Sequence, residues 1–165
     1  MNFRRRVILL STLLVFFLHG LSAAPPISLR ITGRWQDRLD SANLTGGAGT
    51  DFANPFESAA GQVDLTITKT LGPTAPWRMD VRRADITWNP SFRIYAKVTS
   101  IGTGDGSVTG GGTYFEITNA DQEFFTGTGD RTKIEIQYKI EGFSVANAVI
   151  AVYDTDIYYT VVELP

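Results

Sequence analysis

The side chains in this sequence that could do chemistry are mostly oxygen donors: carboxylates, threonines and tyrosines. There is one histidine, His19, and no cysteine. His19 lies in an apolar N-terminal stretch that is expected to be removed. A serine or cysteine nucleophile activated by histidine is thereby excluded, as are zinc, haem and copper centres built on imidazole or thiolate. Hard-oxygen chemistry remains. Asp105, Asp121, Glu123 and Asp130 flank glycine-rich corners, and carboxylates converging with loop carbonyls are what calcium requires. These four are the metal-site candidates, with Asp154 and Asp156 as a second acidic pair. The D-x-[DN]-x-[DN]-G spacing of a helix–loop–helix calcium site is absent. The tetrapeptide GTGD occurs twice, at 102–105 and 127–130. Glycine supplies positive φ and aspartate bonds nearby amides, so turn formation alone explains both copies. Calcium is the one candidate cofactor. A glycosidase would need two carboxylates at a separation set by the fold. Asp64, Asp80, Asp85 and Glu116 are available, but no motif selects a pair, and the protein is expected not to be an enzyme.

The N-terminus dictates where such residues would work. Arg4, Arg5 and Arg6 precede a mostly apolar run, 7–21, which ends in Ser22, Ala23 and Ala24. That pattern predicts a cleaved secretion signal over 1–24 and a single domain over 25–165. The apolar run falls short of the ~20 residues of a membrane span, so no stable insertion is expected after cleavage. The predicted locations are periplasm, cell surface or medium. Loss of three arginines and no acidic residue takes the formal net charge from −2 to −5. Acidity without a basic cluster argues against nucleic acid as partner. Without disulfides, the exported domain must rely on its hydrophobic core.

The elements that position these residues read as strands. Ile134, Ile136, Tyr138 and Ile140 alternate with Lys133, Glu135, Gln137 and Lys139, which is the signature of a half-buried strand. Val63, Leu65 and Ile67 repeat it, as do Phe92, Ile94, Ala96 and Val98, and Ile27, Leu29 and Ile31. Trp77, Met79 and Val81 occupy one phase, while Ala84, Ile86 and Trp88 occupy the other. A bulge near Arg82, Arg83 and Ala84 would put both groups on the core face. A longer strand region over 148–163 is interrupted at Asp154, Thr155 and Asp156. No helical stripe is present. The fold class is therefore all-β, an antiparallel two-sheet sandwich of jelly-roll or immunoglobulin-like topology, with a closed β-barrel as the alternative.

Phe124 and Phe125 are sequence neighbours, so alternation places one of them outside the core. The segment 27–35 is a candidate edge strand able to pair within the chain or with another copy. Ile27, Leu29, Ile31, Phe124 and Phe125 are thus the interface candidates. The expected role is a secreted, non-catalytic structural or interaction protein, a self-assembling homo-oligomer or fibre subunit. The alternative is a module that binds carbohydrate or another ligand through aromatic rings. The alternating strands and the Tyr- and Thr-rich last strand resemble secreted β-sandwich subunits of surface fibres, although no motif names a family.

Overall fold

The computed structural model describes residues 26–47, 49–146 and 151–165. The predicted signal segment 1–24 and the start of the region 148–163 lie outside them. Strands form where apolar residues alternate: β1 (Ser28–Gly33), β3 (Val63–Thr68), β5 (Arg93–Ser100) and β10 (Arg131–Glu141). Short strands β2 (Phe56–Glu57) and β6 (Thr103–Gly104) continue the flanks of β10, and β8 (Phe115–Glu116) pairs with β5. Together they make a seven-stranded antiparallel sheet of order β1-β3-β10-β5-β8. The second sheet has four strands, β11 (Asp154–Glu163), β4 (Pro76–Thr87), β9 (Gln122–Thr128) and β7 (Ser107–Gly110), in that order. The expected two-sheet sandwich is what forms.

Strand order resolves the topology. From β3 onward the chain alternates between the sheets, apart from β6, which prolongs the flank begun by β5. The order β3-β10-β5-β8 faces β4-β9-β7. Those are the interleaved sets of a jelly roll lacking one strand beyond β7, rather than the immunoglobulin sets. β1 is added outside β3 and β11 outside β4, so both additions fall on the same side.

The core lies between the sheets. Leu65, Ile67, Ile134, Ile136, Trp77, Met79 and Val81 are fully buried, each contributing about 1.5–3 kcal/mol of transfer free energy. The Trp77 indole meets Phe125 edge-on at 6.1 Å. Trp35, just past β1, stacks between Phe56 and Tyr138 with ring centroids 5.8 and 6.2 Å away. The long segment between β1 and β3 is pinned to the sandwich by that stack, by Val145 N donating to the Asp51 carboxylate and by Asn54 donating to the Phe143 carbonyl. Besides β2 and an isolated bridge between Leu44 and Phe52, it holds a 3-10 turn, Ser41–Asn43, capped by Asp40.

Two expectations are corrected. Strand β4 pairs with β11 in unbroken register from Trp77 to Asp85, and its extra residue falls at Ile86 instead of near Arg83. Ile86 is 60% exposed as a result, while Arg83 takes the core-side phase at the sandwich end. Phe124 and Phe125 are both buried, because Met79 pairs with Phe125 while Asp80 pairs with Glu123. Phe124 is thus a bulge residue, and the bulge turns both neighbours inward. Neither is available as an exposed interface residue.

Candidate interaction surface

The two GTGD segments are packed against each other. The first runs through β6, whose Thr103 and Gly104 pair with Thr132 and Arg131 immediately after the second. Asp105 accepts a hydrogen bond from the amide of Asp130 at 3.2 Å. Asp130 in turn accepts from the Thr70 amide at 2.9 Å and the Thr70 hydroxyl at 2.6 Å. The Thr70 hydroxyl, followed by its amide, holds the Asp130 carboxyl below its ordinary value. Each aspartate therefore braces a neighbouring segment rather than only its own turn. Glycine is compulsory where these backbones touch. A Cβ on Gly106 would lie 1.6 Å from the Thr128 carbonyl oxygen, and one on Gly127 would lie 2.4 Å from the Trp77 ring.

The organiser of the corner is Arg131, which the sequence reading did not single out. It is 5% exposed, yet among the described residues its guanidinium pairs with no carboxylate. Nη2 donates to the carbonyls of Ile101 and Gly102 at 2.7 and 2.8 Å, and Nη1 to those of Gly106 and Gly104 at 2.8 and 3.3 Å. Nε also reaches the Ile101 carbonyl, at 3.3 Å. A planar fork of donors fits such a carbonyl ring as a point charge would not. The usable sequence signal was a lone arginine directly after a glycine corner, where exposed carbonyls are plentiful.

The four metal-site candidates are not brought together. Asp105 and Asp130 lie at one end of β9, and Asp121 and Glu123 at the other. The seven residues of β9 put those ends roughly 20 Å apart. Asp121 pairs instead with Arg82 at 3.4 Å. Asp156 accepts the Tyr158 hydroxyl at 3.4 Å. Among the described residues, no group of three or more His, Cys, Asp or Glu side chains is placed to hold a metal ion.

The outer face of the larger sheet carries Tyr95 and Tyr114. The Lys139 ammonium lies 4.5 Å from the Tyr95 ring and 4.6 Å from the Tyr114 ring, and Lys97 lies 4.4 Å from Tyr114. Burial, together with the nearby Glu57 carboxylate, pushes the Tyr114 hydroxyl up to about 12. Lys139 also bonds Glu141 at 2.6 Å and holds that carboxyl below its usual value. Cations thus occupy aromatic faces on which a sugar ring would stack.

The sandwich's two sides differ. One is bounded by β8 and β7, of two and four residues. The other is bounded by β1 and β11, of six and ten residues, each paired along one edge only among the described residues. These two strands meet where the Ile27 amide donates to the Glu163 carboxylate at 3.1 Å. Ile27, Leu29, Ile157 and Val161 are half-buried between them, and Ile31 is 45% exposed. Leu29 and Ile31 therefore lie on an open edge, paired within the chain to β3 on their other flank, and Ile27 directly precedes β1 on that edge. Charge is distributed unevenly along this side. Arg78, Arg82, Arg83 and Arg93 each pair with a carboxylate. Arg30, Arg34 and Arg38, on β1 and just beyond it, pair with none among the described residues, and neither do Asp154 and Asp156 of β11 with any cation. Comparison with protein-family models, with curated proteins and with solved structures finds no match to this chain.

Proposed function

We propose that this chain is an exported, non-catalytic structural or interaction protein that associates with copies of itself by strand addition along the side bounded by β1 and β11. The observation that carries the reading is the asymmetry of the edges. Unpaired strand edges are templates for further pairing, and folds usually shorten, charge or cover them. Here one side is shortened in that way and the other keeps two long edges with apolar residues half open between them. The basic, apolar and small-residue pattern of the N-terminus supports export. Carbohydrate binding has less support, since lysine ammonium groups sit over the outer tyrosines and the tryptophans pack inward.

The test is the mass of the protein in solution, expressed with its own N-terminal segment and followed by light scattering across a concentration series. At least twice the monomer mass is expected. Ile31→Lys places a charge on the open edge and should return the protein to monomer with little change in unfolding midpoint. A parent protein that stays monomeric at every concentration overturns the reading.

A further inference from the structure

We infer that the partner on this side is a second copy related by a two-fold axis parallel to the strands, with β1 of each copy paired to β11 of the other. The inference rests on the strand-addition reading above and specifies its geometry. Strand directions come first. β10 and β1 are both antiparallel to β3, and β9 and β11 are both antiparallel to β4. β9 turns back into β10 through Gly129 and Asp130 alone. Hence β1 and β11 run in opposite senses on the same side. A rotation about an axis parallel to the strands keeps each strand's direction and height but exchanges the two sheets. It therefore brings β1 beside an antiparallel β11 twice, and the assembly closes as a dimer instead of growing into a fibre.

The contact between the Ile27 amide and the Glu163 carboxylate sets the two strand ends at similar height, and the rotation preserves height. Leu29 then falls opposite Val161 of the second copy, Arg30 opposite Thr160, and Arg34 opposite Asp156. Side-chain phase agrees independently. Leu29 pairs within its own sheet with buried Ile67, and Val161 with buried Met79, so both point inward. Arg30 and Thr160 both point outward, and Arg34, the first residue past β1, is exposed, as is Asp156. The charges agree too. Arg34 is held at the edge by the Gln62 side chain, which donates to its carbonyl at 2.6 Å, and its guanidinium has no carboxylate partner among the described residues. The register gives it one, twice per dimer. Pairing β1 with β1 would set arginines together, and β11 with β11 would gather the acidic strand.

A charge exchange tests this, again with the protein expressed with its own N-terminal segment. Arg34→Asp and Asp156→Arg should each raise the dimer dissociation constant about tenfold or more. An equimolar mixture should restore association, because the heterodimer regains both opposite-charge contacts. The chain lacks cysteine, so Arg30→Cys combined with Thr160→Cys provides a clean second readout. Within one copy these positions lie on opposite outer faces, so oxidation should yield a disulfide-linked dimer and no internal bridge. Association that ignores both charge changes and fails to cross-link overturns this geometry while leaving strand addition standing. Absence of any association in the parent protein overturns both.

Discussion

At the scale of single residues, Arg131 is the most consequential side chain. Among the described residues its buried charge has no salt-bridge partner and is met by backbone oxygens. Hydrogen bonds to a charged group are worth more than neutral ones, and removing the donor would strand several carbonyls in a closed corner. Arg131→Met is expected to cost about 3 kcal/mol, read as a lower urea midpoint with an unchanged slope. Arg131→Lys should recover only part of this, since an ammonium cannot reach both pairs of carbonyls at once. If the methionine variant were as stable as the parent, the carbonyl ring would not depend on its cation.

At the scale of elements, the glycine corner tests how closely two backbones must approach. Gly106→Ala should unfold several degrees earlier in a thermal scan, because its Cβ would collide with the Thr128 carbonyl. Gly112→Ala has open space around it and should leave the midpoint nearly unchanged. Equal midpoints would mean that the corner relaxes freely. Elements also mark how far sequence could be read. The alternation in β3, β5 and β10 was legible because each side chain's phase follows from its own strand. Bulges were not. The extra residues at Phe124 and Ile86 are set by register against neighbouring strands, so Phe124 and Phe125 both turn inward against the local rule. Strand order was equally hidden, since nothing local records which sheet a strand joins. The acidic set failed for the same reason: Asp121 and Asp130 are near in sequence but separated by the length of β9. Arg131 was passed over because its corner takes shape only when two distant loops meet.

At the scale of the whole molecule, a buried hydrogen bond between the Tyr138 and Tyr159 hydroxyls, at 2.8 Å, joins the two sheets. Burial pushes the Tyr138 hydroxyl up to about 12 and that of Tyr159 well above its ordinary value. A raised folded-state pKa means that the native state holds these protons more tightly than the unfolded chain. Their contribution is complete below pH ~10 and is lost as pH rises through about 12. Stability should therefore fall steeply on the alkaline side. Tyr138→Phe combined with Tyr159→Phe should move the alkaline unfolding midpoint upward, whereas Tyr138→Phe alone should cost about 1 kcal/mol at neutral pH by leaving Tyr159 unpaired. An alkaline midpoint unmoved by the double change would place the transition elsewhere. The guanidinium in the glycine corner also bears on how the molecule meets its surroundings. A loop shaped by a borrowed ion has an occupancy that rises and falls with the ion's concentration. Arg131 is covalently tethered, so its seat is filled whatever the medium contains. The carbonyls around Arg131 therefore keep their donor in dilute and in mineral-rich fluid alike.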